Sequence, residues 1–597
     1  MGAIVAVLSS SETDTTVATQ MLAAAPHRGT DMAVRVRGKC ILGVSNDSVM
    51  DSSISITNEG TIAVFSGNLD NSHQLGRKLA DCGFRAATEA PADVVVSAFR
   101  AFGADAPNHM RGVFAGVVTD GYRVWAFRDH IGFKPLFYRY DQKGLFIATE
   151  AKQLVAGARL LREPDLDVLE QIFYGRMADD TPCAIKGVLR LPQSTTLIAE
   201  HEKPPELYRY HSPEALLETA DLKPTMVAEC FSEMMRCAMA RSLTGRDLLL
   251  LSGGVDSPTI AAYGAQQHRE LSGRPLGALT ATFPALPRVD ELRYVKLIAD
   301  YLGLDLYTHR PEARALDDLT RWCELLDGPV PTVSVPEINE SYAFARKLGF
   351  QRILTGEAAE FVFDQRMHLL GHLLWHRRFG SLARLFSAER RRGRSPRRAL
   401  PQLLEALTPG WLANWYLNIA GLDWPQRIPE WLDARKVNEV PFRADLVPPI
   451  RSRWTAQQLL PFGGSTITME ADELCAALNQ VTVRRPFADI DLWEFFLSLR
   501  AETKFPDLGT KTLVRKLLRG KLPDEILDRR DKTVFDDHVM AQIDYPTLRR
   551  FLTAPQYRMK GVNYSLLNRR IERKDFSLID WFWANDLARI HAFLSLW

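Results

Sequence analysis

Leu248-Leu249-Leu250-Leu251-Ser252-Gly253-Gly254-Val255-Asp256-Ser257-Pro258 is the stretch from which the fold is read. Four consecutive leucines suit a strand buried on both faces, and the Ser-Gly-Gly run ends that strand in a tight loop. Pro258 stands where proline suits the first turn of a helix. The predicted geometry is strand, loop, helix. Glycines let the backbone approach an anion closely, serine hydroxyls and backbone N–H groups bond phosphate oxygens, and a helix N-terminus adds partial positive charge. Ser252, Gly253, Gly254 and Ser257 are therefore candidate phosphate ligands. The run lacks the Gly-x-x-x-x-Gly-Lys-Ser/Thr pattern of a P-loop. Asp256, an acid inside an anion site, makes electrostatic sense if a cation lies between carboxylate and phosphate, and Mg²⁺ is the usual choice.

Working outward, apolar runs alternate with helical periods: Pro258–Gln267, Leu276–Phe283, Leu292–Leu302 and later Arg352–Thr355. Strand–helix repetition with continuous apolar strands predicts an α/β parallel sheet covered on both faces. From about Asp364 to Trp597 the chain reads as helical, a cap or extension. Upstream, Ala3–Leu8, Cys40–Val44, Thr61–Phe65, Val113–Val118 and Val124–Phe127 read as short strands, with a helix over Asp93–Phe102 among them. That order predicts an α+β part of layered sheets with flanking helices. The composition changes at Lys203-Pro204-Pro205, which divides the chain into residues 1–205 and 206–597.

The 597 residues, at ~150 per domain, suffice for more than one core. With 74 basic against 72 acidic residues the formal charge is +2, which provides no global field for a polyanion, so no nucleic-acid partner is expected. Seven cysteines without a Cys-x-x-Cys pair argue against a zinc site and a disulfide framework. No apolar run approaches the ~20 residues of a membrane-spanning helix and no signal peptide is evident. A cytoplasmic protein with no membrane partner is expected. His376–Arg398 is strongly basic, either a solvated surface or a docking surface for an acidic peptide, within an Arg-rich helical insertion near residues 365–450.

At Ser252–Ser257 the sequence resembles the ATP-pyrophosphatase superfamily and, within it, the asparagine synthetase family. Pro26–Asp31, Phe127–Leu136 and Ala148–Lys152 resemble that family's glutaminase half, and Arg485–Asp489 another of its signatures. The resemblance implies an Ntn-hydrolase-type glutaminase-like sandwich, then an ATP-pyrophosphatase domain with a helical C-terminal extension. The implied chemistry is adenylation of a carboxylate, with release of pyrophosphate, followed by attack of an amine and release of AMP. The family's glutaminase uses a cysteine exposed after methionine removal, yet position 2 is Gly2, and its Asn-Gly-Glu stretch is replaced by Ser66-Gly67-Asn68. Glutamine hydrolysis is accordingly read as lost, with Arg128 and His130 structural.

Thr355-Gly356-Glu357-Ala358-Ala359-Glu360 is similar to the family's Ser-Gly-Glu-Gly-Ala-Asp loop. The match implies that Glu357 takes a proton from the attacking amine, that Gly356 belongs to the pyrophosphate site, and that Glu360, with Asp256, holds Mg²⁺. An ammonium must lose a proton before it attacks, so a carboxylate at the reaction centre fits the chemistry. Two lysine-bearing segments, around Lys511 and Lys532, imply Lys511 on phosphate and Lys532 on the tetrahedral oxyanion. Adenine is expected along Ala278–Phe283, read by backbone groups of Leu279 and Thr282, with Asp290-Glu291 capping the next helix.

The missing thiol, the Arg-rich insertion, Pro429–Leu432 and Arg529–Phe535 are most similar to lasso-peptide cyclases. β-Lactam synthetases, which carry a tyrosine where this chain has Glu357, fit less well. The resemblance implies ATP and Mg²⁺, a ribosomal precursor (core) peptide whose Asp or Glu side chain is joined to its own N-terminal amine, and a leader-binding protein and leader peptidase as partners. Two other readings stand beside it: an ammonia- or small-amine-dependent amide ligase, and a catalytically silent scaffold.

Overall fold

The computed structural model describes residues 2–9, 14–46, 53–56, 60–175, 181–391, 428–433, 453–459, 466–529, 533 and 535–597. Lys532 and residues 392–398 of the Arg-rich stretch His376–Arg398 lie outside the described residues.

The first part is built from β1 (Ala3–Ser9), β2 (Asp31–Arg37), β3 (Cys40–Asn46), β4 (Ser53–Ile56), β5 (Ile62–Gly67), β6 (Phe114–Thr119), β7 (Arg123–Arg128), β8 (Phe137–Asp141), β9 (Gly144–Ala148), β10 (Leu189–Arg190), β11 (Thr195–Glu200) and β12 (Glu206–Arg209). They form two antiparallel six-stranded sheets, ordered β10-β8-β9-β1-β3-β2 and β12-β11-β7-β6-β5-β4. Side chains alternate along a strand, so each sheet has two apolar faces to cover. Ile4, Ala6 and Leu8 of β1 meet Val64, Ala115 and Leu197 between the sheets. Val5 and Val7 face outward onto Met21, Leu22 and Leu154 of the helices Thr15–Ala23 and Ala151–Ala158. Ala63 and Phe65 of β5 pack outward on Val95 and Phe99 of the helix Pro91–Phe102. The result is a four-layer helix–sheet–sheet–helix sandwich, the Ntn-type arrangement the resemblance implied. The division expected at residue 205 needs correction: Lys203-Pro204-Pro205 lies in the turn of a hairpin, and β12, beyond it, pairs with β11.

The second part holds a parallel sheet of β13 (Asp247–Leu250), β14 (Gly277–Ala281), β15 (Asp305–His309), β16 (Arg352–Leu354) and β17 (Thr482–Arg484), ordered β15-β14-β13-β16-β17. Leu248 and Leu249 are fully buried on opposite faces. Leu249 meets Phe231, Ile260 and Ile298 from the helices Pro224–Ser242, Asp256–Ser272 and Leu292–Leu302. Leu248 belongs to the cluster with Trp322, Tyr342 and Leu474 from the helices Leu319–Leu326, Val335–Lys347 and Ile467–Leu478. Strand order reverses at β13, whose neighbours β14 and β16 lie on either side, and a crevice opens beyond the C-terminal ends of strands at such a point. Two strands escape the sequence reading. β15 is a mixed polar edge strand, and β17 stands alone in an otherwise helical region. Among the described residues no helix is long and apolar enough to cross a membrane.

Candidate active site

A cleft of about 590 Å³ occupies the predicted crevice, its floor made by Leu250–Ser252 after β13, Leu279–Ala281 of β14 and Thr355–Ala358 after β16. Asp256, Ser257, Glu357 and Glu360 all line it. The two loops thus converge although about a hundred residues separate them in the chain.

Ser257 closes the first loop on itself: its Oγ accepts the Ser252 N–H at 2.9 Å and lies 3.1 Å from Ser252 Oγ. Gly356 is required by contact. A Cβ there would sit 2.9 Å from the backbone nitrogen of Ser257, so the two loops touch through backbone atoms. Gly253 is equally confined, with Tyr294, Glu291 and Arg529 around the position of its missing Cβ, whereas Gly254 is open apart from Ser252 Oγ at 3.5 Å. The Gly253 N–H donates to Glu291 Oε2 at 2.9 Å. Glu291 also binds Arg529 at 3.1 Å and the Thr533 hydroxyl at 2.6 Å. The capping role expected of the Asp290-Glu291 pair therefore falls to Asp290 alone, whose Oδ1 accepts the Leu292 N–H at 2.9 Å. Glu291 is a carboxylate set on the phosphate-loop backbone.

Asp256 is gripped by Lys511 through Oδ2, while its Oδ1 is buried without a hydrogen-bond partner. Glu360 is exposed at the same cleft. An orphaned carboxylate oxygen and a second acid match how Mg²⁺ is held, by one or two carboxylates with phosphate oxygens completing the shell. Among the described residues no group of three or more His, Cys, Asp and Glu would hold a metal unaided. Asp364 joins this acid pair. Burial raises its carboxyl above the ordinary range; Arg366 and Lys511 oppose the rise and the charge of Asp256 adds to it. It went unread in the sequence, although its position one turn after Glu360 places both on one helical face.

Adenine recognition needs the other correction. Thr282 donates its N–H to the His309 carbonyl at 2.9 Å, which ties it to the strand beyond and leaves it outside the cleft lining. Leu279 does line the cleft, with its carbonyl accepting the Leu251 N–H at 2.8 Å. Phe283, the end of the stretch along which adenine was expected, and Phe535, 6.2 Å away, supply aromatic faces at that end.

Glu357 accepts from Arg485 Nε at 2.8 Å. Arg485 is fully buried and also bonds Glu473, at 2.9 Å, and Asp472. Tyr342 donates to Asp472 as well. In the first part, Gly2 lies where a nucleophilic thiol was sought, its carbonyl accepting from Ser66 Oγ at 3.0 Å. Arg128 is a buried tie, donating to the carbonyls of Lys134, Leu191 and Gly132 and to Thr466 Oγ1. His130 is buried edge-on to Tyr210 and His211, which fits the structural role expected of both residues.

The family description "Asparagine synthase" matches residues 248–574, and "Glutamine amidotransferase domain" matches residues 1–211. The chain belongs to the asparagine synthase family. Within that family of ATP-dependent amide ligases, asparagine synthetase [glutamine-hydrolyzing] 3 of Bacillus subtilis is 23% identical over 498 residues, covering 78% of this chain and 74% of the relative. Amidase chry2 of Gibberella zeae is 26% identical over 329 residues, 50% of this chain and 46% of the relative. Amidase chyE of Penicillium rubens is 25% identical over 278 residues, 42% of this chain and 39% of the relative. The chain thus spans less than half the length of either amidase.

Proposed function

We propose that the chain is an ATP-dependent lasso-peptide cyclase. It would adenylate the side-chain carboxylate of an Asp or Glu in a precursor peptide and join it to the peptide's N-terminal amine as a macrolactam, with release of AMP and pyrophosphate. The observation that carries the reading is the adjacency of two clefts that share a wall residue. Thr468 lines the candidate active-site cleft and also a second cleft, of about 300 Å³, between the two parts of the chain. The second cleft is bounded by Ile172 and Arg190 from the first part and by Val330, Glu470 and Ile590 from the second. A free amino acid leaves such an annex empty, whereas a peptide needs room beyond its reacting carboxylate. The absence of a thiol at Gly2 agrees with a nucleophile that is not glutamine-derived ammonia.

In this reading Ser252, Gly254 and Ser257 bond the phosphates, and Lys511 steadies the departing pyrophosphate. Asp256 and Glu360 would hold Mg²⁺, which would supply positive charge to the phosphates. Glu357 takes the proton from the attacking amine, and Lys532, by the family resemblance, stabilises the oxyanion. Tethering gives the amine a high effective concentration once the peptide is held in its folded shape. A leader-binding protein and a leader peptidase belong to the same proposal as partners.

The test mixes purified protein, ATP, Mg²⁺ and a leader-free core peptide and follows mass and nucleotide. Loss of one water from the peptide with AMP formation is the expected result. Turnover with free aspartate and ammonium, and none with peptide, would replace the reading with a small-amine ligase. Absence of ATP–pyrophosphate exchange with every peptide tested would revive the silent scaffold.

A further inference from the structure

We infer that Arg485 is the positioning residue that aims Glu357 and that the charge network around it draws in a protonated amine. The inference rests on the ligase reading above. Among the described residues the bonds to Glu357 fall on Oε2, from Arg485 Nε at 2.8 Å and, more weakly, Thr355 Oγ1 at 3.4 Å. The second oxygen is left for substrate, and Glu357 lines the cleft with its side chain 28% exposed.

Arg485 itself cannot move. It is fully buried, its remaining nitrogens hold Glu473 and Asp472, and its face lies 5.4 Å from the Phe133 ring. Glu473 in turn binds Lys134 at 2.9 Å, with both side chains 1% exposed. Two cations, Arg485 and Lys134, thus face three carboxylates, Glu357, Asp472 and Glu473, for a formal charge of −1. Glu357 is the carboxylate among them that is open to solvent. Charges buried this deeply persist only when paired, and the surplus is expressed where water and substrate reach it. An incoming ammonium supplies the missing positive charge; after it gives one proton to the free oxygen of Glu357, its lone pair attacks the activated carbonyl, the C–O bond to AMP breaks with its electron pair leaving on the AMP phosphate, and the nitrogen's second proton passes to that phosphate.

Phe133 and Lys134 come from the first part of the chain, next to the buried Arg128 tie. The amidotransferase-like sandwich, with Gly2 in place of a nucleophilic cysteine, is thereby built into the second half-reaction as the support of its base.

The experiment separates the two half-reactions with the core peptide: ATP–pyrophosphate exchange reports activation, and macrolactam formation reports amine attack. Arg485→Lys retains charge without the fork, and the double variant Arg485→Met with Glu473→Gln retains the network's formal charge of −1 without the contact. Each should keep exchange and stay folded at the assay temperature, with a lowered melting temperature because a buried ion pair is broken, while macrolactam formation falls ~10²-fold, as misplacement of a reacting group does. Hydroxylamine, uncharged at neutral pH and needing no base, should trap the activated peptide at wild-type rates in both variants. Undiminished macrolactam formation, or hydroxylamine trapping that falls in step with it, would overturn the role of Arg485. Absence of exchange in the wild-type protein would instead overturn the ligase reading, and this role with it.

Discussion

Lys511 and Asp256 stand 255 residues apart in the chain and close an ion pair at the start of the helix Asp256–Ser272. The lysine backbone is left-handed, with φ +54°, at the residue before the helix Thr512–Leu517, which fixes where its side chain begins. One carboxylate oxygen is held by the ammonium and the other is unpartnered. A point charge that close to the phosphate loop stabilises developing negative charge on pyrophosphate. Lys511→Met should lower ATP–pyrophosphate exchange by ~10²–10³-fold, the usual cost of one such group. Asp256→Asn should instead raise the Mg²⁺ concentration needed for half-maximal exchange. Wild-type exchange in Lys511→Met would take the lysine out of phosphate handling.

In the proposed reaction Glu357 enters only after the carboxylate has been activated. Glu357→Gln keeps the shape and the Arg485 contact but cannot accept a proton. Macrolactam formation is expected to fall by ~10²–10⁴-fold, the range for a lost general base, with exchange retained. Lys532→Ala should likewise abolish product by leaving the oxyanion uncompensated. Mass spectrometry of the peptide beside labelled pyrophosphate exchange distinguishes these defects from a loss of ATP binding.

The two active-site glycines that look alike in sequence should behave differently. A methyl at Gly356 meets the Ser257 nitrogen at 2.9 Å and its Cα at 3.2 Å, backbone atoms that cannot swing aside. Gly356→Ala should cost about 1–3 kcal/mol, the range for overpacking a tight contact, and raise the KM for ATP by displacing the phosphate loop. At Gly254 the nearest atom is the rotatable Ser252 Oγ at 3.5 Å, so Gly254→Ala should melt like the wild type. Thermal denaturation of the pair decides it; equal melting temperatures would mean that the loops do not touch as described.

What was legible in the sequence was local. Leu248–Ser257 and Thr355–Glu360 announce themselves because a continuous apolar strand and its Gly- and Ser-rich exit carry signal within a dozen residues. Of the sandwich strands, β1, β3, β5, β6 and β7 were legible as short β-rich runs, and the others were not read. Glu291 was misread as a cap because its partners are Gly253 and Arg529, the latter 238 residues downstream. Thr282 was misplaced because the bond that withdraws it from the cleft goes to His309, at the end of a polar strand with no apolar signature. Arg485 lay inside a recognised signature, yet its three carboxylate partners come from two separate segments that only the fold assembles. Pairings across hundreds of residues leave no periodic trace.

Glu218 offers a test of stability away from the chemistry. Burial pushes its carboxyl up, but the His372 ring, the Ala501 N–H and the Arg378 guanidinium more than reverse that, bringing it down to about 2 from an ordinary 4.5. The bonds are 2.9 Å to His372, 2.7 Å to Ala501 and 2.9 and 3.1 Å to Arg378. A carboxyl whose folded pKa is depressed contributes stability that is fully present above the unfolded value and is lost as pH falls toward the folded one. The wild-type melting temperature should therefore drop as the pH is lowered from about 5 to about 3, and Glu218→Gln should be less stable at neutral pH with a shallower drop over that window. Parallel curves for the two proteins would show that the His372 and Arg378 contacts do not hold the carboxylate, because a group that gains nothing from ionising in the folded state contributes no slope.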